Sequence, residues 1–232
     1  MGTIILRVLL AVLMIDCLIE TGMIGSTVGF LHKDGLYKME NNKILDAKPK
    51  HIDANHGHTA NGASGSALML VGLLGLILLG GRGFIERRFP RYLIPLYTTW
   101  LVLTILSFLL TLAALIYVFV VVHQTSGQTI DINDQSLTTG SHYPLGKWVP
   151  QTWYAAVLDS PLVFVNKSDH DNVSTHLALM NGWKWNLIVL FLLELAATVM
   201  IVMEYRKVRK SRSYSNVAVT EKHGQEAAFA EA

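Results

Sequence analysis

The sequence predicts an all-α membrane protein, a four-transmembrane-helix bundle with two extracytoplasmic loops. Of its 232 residues, 51% are hydrophobic and only 16% are charged, whereas about 25% are charged in an ordinary soluble domain. Four segments are apolar over the ~20 residues that a helix needs to cross a hydrocarbon core. Most of the arginines lie directly beside these segments. This composition excludes an ordinary soluble protein, and the net charge of +2 gives no support for nucleic-acid binding.

The first transmembrane helix is predicted over residues 1–31. Its Ile, Leu and Val residues each favour insertion by about 0.3 to 0.6 kcal/mol, which balances the ~3 kcal/mol cost of a central aspartate, Asp16. An alternative interpretation takes residues 1–25 as a cleaved signal peptide with Arg7 as its basic region. Asp16 directly after the apolar core and the lack of an A-x-A site favour a retained helix.

An extracytoplasmic loop rich in His and Lys follows at residues 32–63. Because it has few large apolar residues, we expect it to be mobile or only locally structured. Its histidines His51, His56 and His58 would ligate zinc or copper if the loop folded around an ion. No cysteine or predicted helix holds them in place, so solvated histidines are the simpler interpretation, and no cofactor is predicted.

The second transmembrane helix is predicted over residues 64–86, and an Arg-rich cytoplasmic loop over residues 87–92. Small residues let helix backbones approach closely in lipid, and this helix carries Gly72, Gly75, Gly80 and Gly81. Short loops rich in Lys and Arg stay cytoplasmic. The loop and its flank contain Arg82, Arg87, Arg88 and Arg91.

The third transmembrane helix is predicted over residues 93–122, with aromatic residues near both ends that are typical of an interfacial belt.

The second extracytoplasmic loop, residues 123–182, is predicted to contain a short amphipathic helix at 150–159, which begins with a proline and ends shortly before another proline. Two N-x-S sequons predict glycosylation at Asn166 and Asn172. Glycosylation requires this loop to be lumenal or extracellular, which agrees with the cytoplasmic arginines.

The fourth transmembrane helix is predicted over residues 183–204, and a cytoplasmic tail over residues 205–232, basic at first and then disordered. Each basic residue near an anionic leaflet contributes about 1 kcal/mol of attraction, so we expect five residues to contact anionic lipids: Arg206, Lys207, Arg209, Lys210 and Arg212. Phosphorylation of Ser211, Ser213 and Ser215 would reverse this charge. Both termini are therefore predicted to be cytoplasmic, in the plasma membrane or a secretory-pathway membrane.

Three carboxylates inside the apolar segments are the candidate functional residues. Asp16 and Glu20 are four residues apart and share one helical face, and Glu194 lies near the middle of the fourth helix. If the first and fourth helices are neighbours, the three acids come together. Like charges that close cannot all be ionised, so at least one carboxyl is expected to keep its proton.

These acids are compatible with three hypotheses. As interhelical hydrogen-bonding groups they fit a non-catalytic organiser, scaffold or partner-binding protein, which binds the bilayer and a membrane protein or a second copy of itself. As buried general acids they fit an intramembrane enzyme acting on an isoprenoid or sterol-like substrate. As a proton path they fit a proton-coupled transporter. No nucleophile or cofactor motif accompanies them, so we expect the non-catalytic role.

The layout of four predicted helices and two outer loops is similar to that of tetraspanin-, claudin- and MARVEL-type proteins. A tetraspanin has a Cys-Cys-Gly motif in its large loop, and a claudin has paired loop cysteines. The single cysteine of this chain, Cys17, lies in the first predicted helix. The similarity is therefore one of architecture, and no residue role is transferred.

Overall fold

The computed structural model describes residues 2–33, 35–143 and 148–230, with side chains described as far as Arg212. The side chains of Ser213 and Ser215, two of the predicted phosphorylation sites, lie outside the described part. Four helices are long and apolar enough to cross a membrane: Gly2–Leu31, Asn55–Arg88, Pro90–Gln124 and Lys167–Arg212. By length and composition, they suit a multi-pass membrane protein.

Helix α1, Gly2–Leu31, is built from apolar residues on all sides, so hydropathy alone does not define its inner face. Its buried positions recur three and four residues apart, which is the spacing of left-handed helix packing. These positions are Leu6, Leu10, Leu13, Cys17, Glu20, Ile24 and Thr27. One acidic side chain, Glu20, therefore occupies an interior position of the bundle.

The second long helix runs without a break through α2 (Asn55–Ser66), a π-helical segment (Ala67–Leu73) and α3 (Leu74–Arg88). It begins at Asn55, whereas the sequence predicts a start at residue 64. Residues 55–66 include many poor helix formers, such as Gly, Asn and Ser, but Ala60, Ala63 and Ser64 of this segment are fully buried. Packing thus overrides propensity. A π-helical carbonyl, that of Val71, accepts a hydrogen bond from the Trp100 indole nitrogen at 3.2 Å.

The third and fourth long helices are α4, Leu93–Gln124, and α7, Lys167–Ala230. Helix α7 begins at Lys167, whereas the sequence predicts a loop as far as residue 182. Its first turns bury Val173 and Met180, so contacts stabilise a helix that its polar composition does not predict. At its other end the backbone stays helical beyond 205, where the sequence predicts a disordered tail. That segment has no proline and many strong helix formers.

The four long helices close into a ring. Helix α1 packs against α7, α7 against α4, and α4 against α2 and the π-helical segment, which in turn contact α1. Large side chains fill the centre, including Tyr97 and Trp100 of α4, both 0% exposed. The predicted helical bundle is therefore present, and its first and fourth helices are neighbours.

One end of the bundle carries a folded unit that we call the head, formed by the described residues of 35–54 and 125–166 with the first turns of α7. Strands β1 (Leu36–Lys38) and β2 (Ile44–Asp46) form an antiparallel hairpin. Its turn places Asn41 and Asn42 at φ of 62° and 61°, a left-handed conformation that asparagine tolerates. The first loop, predicted to be mobile or only locally structured, thus contributes a hairpin to the head.

Two short helices complete the head: α5, Ser136–Thr139, and α6, Pro150–Asp159. Helix α6 spans the residues over which the sequence predicts a short helix. Only Ala155 and Asp159 of α6 are exposed, so this helix is packed inside the head. Its Trp153 is 0% exposed and donates a hydrogen bond from its indole nitrogen to the Ala47 carbonyl at 3.0 Å.

Candidate functional site

The two acids of α1 meet an asparagine of α7. Glu20 is 0% exposed, and its Oε2 accepts a hydrogen bond from Asn186 Nδ2 at 3.0 Å. Asp16, one helical turn away, is half-buried and lies beside the same amide. One oxygen of each carboxyl, Glu20 Oε1 and Asp16 Oδ2, has no hydrogen-bond partner among the described residues. Asn186 therefore joins α1 to α7 through the carboxyl of Glu20.

The third acid, Glu194, faces a different helix. Its side chain is 0% exposed and lies beside the hydroxyls of Ser107 and Thr111 on α4. Neither carboxyl oxygen makes a hydrogen bond of normal geometry to a described residue. Glu194 follows Asn186 by eight residues, or about 12 Å along the helix axis. The structure thus brings Asp16 and Glu20 together and places Glu194 in a separate α4–α7 contact.

A further polar contact joins α1 to α2. Cys17 is 0% exposed, and its carbonyl accepts a hydrogen bond from Ser64 Oγ at 2.9 Å. Thr21 Oγ1 is 3.2 Å from the same Ser64 oxygen. Ser64 therefore joins α2 to α1 next to the two acids of α1.

Together these buried polar contacts form a polar cluster that connects all four long helices. Its acids face neutral amide and hydroxyl groups, and cavities elsewhere between the described residues are lined by other side chains. Buried carboxyl, amide and hydroxyl groups inside a membrane protein either hold helices together through hydrogen bonds or exchange protons.

A second charged cluster lies at the end of the bundle opposite the head. Arg82 Nη1 is 3.0 Å from Glu204 Oε1, and Arg82 Nε is 2.7 Å from Glu86 Oε1. Glu204 is 3% exposed and also has Lys207 Nζ at 3.8 Å from its other oxygen. This network ties α3 to α7. Arg212 donates a hydrogen bond to the Pro90 carbonyl.

The residues predicted to contact anionic lipids all lie on α7 at this same end. Arg206, Lys207, Arg209 and Lys210 are exposed, and Arg212 is half-buried. Because these residues lie at the same end as the arginines of the last turns of α3, one end of the molecule is strongly basic.

The three candidate metal-ligating histidines do not converge. His51 and His58 are exposed, as expected for solvated side chains, but His56 is buried in α2 with its Nε2 2.8 Å from Gln151 Oε1. Within the part of the chain that the structure describes, no group of three His, Cys, Asp or Glu side chains is arranged to hold a metal ion.

Both predicted glycosylation sites lie in the head. Asn166 immediately precedes α7, and Asn172 lies in the first turns of that helix; both side chains are exposed. Asn166 Nδ2 is 3.2 Å from Asp169 Oδ2. Neither site is blocked by packing.

Several residues of the site were not singled out from the sequence, namely Ser64, Ser107, Thr111 and Asn186. A signal for two of them was present, because Thr104, Ser107, Thr111 and Ala114 recur three and four residues apart in an otherwise apolar helix. Small and polar residues at that spacing indicate a helix–helix interface in lipid. Asn186 is a single polar residue and carries no such pattern.

No family model, curated protein or solved structure matches this chain.

Proposed function

We propose that this protein is a multi-pass membrane protein with a non-catalytic role, organising membrane or partner proteins in the plasma membrane or a secretory-pathway membrane. Both termini are cytoplasmic, and the head is lumenal or extracellular. The charge distribution supports this orientation, because the arginines at the end of α3 and the basic residues of α7 lie at the end opposite the exposed sequons. The basic end contacts anionic lipids of the cytoplasmic leaflet.

One observation carries the non-catalytic role. The acid with the best-defined partner, Glu20, accepts a hydrogen bond from Asn186 of another helix and is 0% exposed. Interhelical hydrogen bonds of this kind contribute about 0.6 kcal/mol on average in a membrane protein. The acids thus act as packing groups that hold α1, α4 and α7 in one arrangement.

The head supplies the surface for a partner. Its hairpin edge is extended by residues 163–165, since Val165 N–H donates to the Lys38 carbonyl at 2.9 Å. Three apolar side chains on these adjacent segments are exposed by more than half: Leu36, Val163 and Val165. Exposed apolar patches on folded units are typical of interaction sites, and the partner is a membrane protein or a second copy of this chain.

Single amide substitutions test the role of the acids. We expect Asp16→Asn, Glu20→Gln and Glu194→Gln each to affect the cellular phenotype only to the extent that they lower the amount of folded protein. An amide keeps the shape and the hydrogen-bond acceptor but cannot transfer the same proton. Quantitative blotting and detergent size-exclusion chromatography measure the amount of folded protein, and a deletion-complementation assay measures the phenotype.

The contrary outcome supports a second candidate function. Both oxygens of Glu194 lack a hydrogen-bond partner among described residues, as expected of an acid that protonates a lipid-soluble isoprenoid or sterol-like substrate. A Glu194→Gln variant with normal abundance and no phenotypic complementation would favour this enzyme, or a proton-coupled transporter, over the organiser. Proton flux in liposomes then separates the transporter from the enzyme.

A further inference from the structure

A cavity of about 520 Å³ lies where the head meets the bundle. It is bounded by the end of α4, the exposed side of α6 and the first half of α7. Its volume falls in the range of small-molecule sites, about 300 to 1,000 Å³. Because Val122 lies in the last turns of the apolar helix α4, the cavity is at the level where the apolar part of the bundle ends.

The wall of this cavity contains a buried amide with an unused hydrogen-bonding group. Gln151 is 3% exposed, and its Oε1 is held by His56 at 2.8 Å. Its Nε2 has no partner among the described residues. A buried amide left half-satisfied is destabilising, and a ligand in the cavity would supply the missing partner.

A carboxylate lies in the cavity lining, and a lysine lies just outside that lining. Its described lining contains a carboxylate, Asp159, and neutral polar groups including Asn181, but no Lys, Arg or His. One helical turn beyond Asn181, about 4.5 Å further along the axis towards the apolar bundle, lies Lys184. Its ammonium stands 5.2 Å from the ring centre of Trp185 and 5.8 Å from that of Phe119, and no carboxylate pairs with it among the described residues.

This arrangement favours a zwitterionic headgroup. A negative group is matched by Lys184 on the bundle side, and a positive group by Asp159 and the polar wall on the head side. In an ethanolamine phospholipid the phosphate is next to the glycerol, and the ammonium lies further from the membrane on a short link. The described lining has no aromatic ring, which a quaternary ammonium such as choline prefers, whereas a primary ammonium donates hydrogen bonds to carboxylate and amide oxygens.

We propose that this cavity binds the headgroup of an ethanolamine phospholipid from the leaflet on the head side, with the phosphate at Lys184 and Gln151 and the ammonium at Asp159 and Asn181. The Gln151 Nε2 group is a donor, so it is matched by a phosphate oxygen. The site goes beyond the proposed organising role and rests only on the membrane placement of that proposal. None of the acids of the polar cluster lines the cavity. A negative result in the lipid experiment therefore leaves the organising role standing, and a negative result in the amide substitutions leaves the lipid site standing.

Lipid competition tests the site. The full chain in detergent micelles receives equimolar dioleoyl-phosphatidylethanolamine, dioleoyl-phosphatidylcholine, dioleoyl-phosphatidylserine and glucosylceramide, and native mass spectrometry counts the bound lipids. We expect the ethanolamine lipid to exceed each competitor about tenfold. Ala155→Phe places a ring in the cavity from an exposed position of α6 and should lower the ethanolamine adduct about tenfold.

Matched variants separate the site from general lipid association. Ala113→Phe adds the same ring at an exposed position of α4 outside the cavity and should leave the adduct unchanged. Lys184→Gln should lower the ethanolamine adduct, and Asp159→Asn the preference over phosphatidylcholine, each about threefold or more. If Ala155→Phe does not fold, the preference of Asp159→Asn for the ethanolamine lipid over phosphatidylcholine tests the site instead, because Asp159 is at an exposed position. Equal binding of all lipids, a preference for any competitor, or charge variants without effect would overturn the proposal.

Discussion

Glycine positions in α3 show how one missing side chain permits a helix contact. A Cβ atom at Gly75 would lie 2.8 Å from Leu10 Cδ1 and would also overlap the ring of Trp100. At Gly80, five residues later, a Cβ atom would meet nothing within 4 Å. The sequence predicts close packing at all four glycines of this segment, and the structure distinguishes Gly75 from Gly80.

Substitution of these two glycines should therefore have opposite effects. Gly75→Ala pushes α1 and α4 away from α3 and should lower the free energy of unfolding by about 1 to 3 kcal/mol. Gly80→Ala at an open position should leave it unchanged or raise it by up to ~1 kcal/mol, since alanine favours the helix. Thermal unfolding in detergent, followed by circular dichroism, measures both. Equal destabilisation by the two variants would contradict the packing described for α3.

Polar residues of the interior illustrate the limit of sequence reasoning at this scale. Asp16, Glu20 and Glu194 stand out because a charge in an apolar segment is costly. Their partners are neutral residues, such as Asn186 and Thr111, which do not stand out in the same way. The identity of a partner depends on the rotation of each helix, which no local pattern specifies.

At the scale of elements, strand β1 carries a titratable group into the head. Tyr37 packs edge-on against Phe164, with ring centres 5.5 Å apart. Burial raises the pKa of Tyr37 to about 12, and the nearby Asp169 carboxylate adds to this effect. Burial also raises the pKa of Tyr154 in α6. The folded head therefore favours the neutral form of these tyrosines.

This preference predicts an alkaline loss of stability in the head. The unfolded chain ionises Tyr37 near its ordinary pKa of about 10. The stabilisation is therefore complete below about pH 10 and is lost as pH rises towards 12. Tyr37→Phe should flatten the fall in thermal midpoint across this interval, measured by tryptophan fluorescence. Tyr92→Phe, at a residue 49% exposed, is the control, and an identical fall in both variants would rule out a contribution from Tyr37.

Helix lengths are also decided at this scale. The sequence predicts the apolar part of each long helix because the apolar run itself is the signal. It does not predict the polar extensions, residues 55–63 and 167–182, which become helical where they pack against the bundle or the head. The hairpin is hidden for a similar reason, since its three-residue strands are too short for an alternating pattern to be distinctive.

For the whole molecule, orientation across the membrane is the central prediction. Asn166→Gln and Asn172→Gln should each remove one glycan, seen as a mobility shift abolished by glycosidase, because the proposed orientation places both sequons on the lumenal side. Ala218→Ser creates a third N-x-S sequon, with Asn216 as its acceptor in the tail, and this sequon should remain unmodified. A glycan at Asn216 together with none at Asn166 and Asn172 would reverse the proposed orientation.

The sequence by itself determined that four helices are long and apolar enough to cross a membrane, that basic residues flank particular ends, and that three acids interrupt the apolar segments. These properties are local, because hydropathy and charge are carried by each segment alone. Only the tertiary structure decided that α1 lies against α7, that Glu194 faces α4 instead of the acids of α1, and that the loops form a head around Trp153. The physical reason is that helices apolar on every side give no hydrophobic signal of which face turns inward, so close packing and hydrogen bonding between helices decide it.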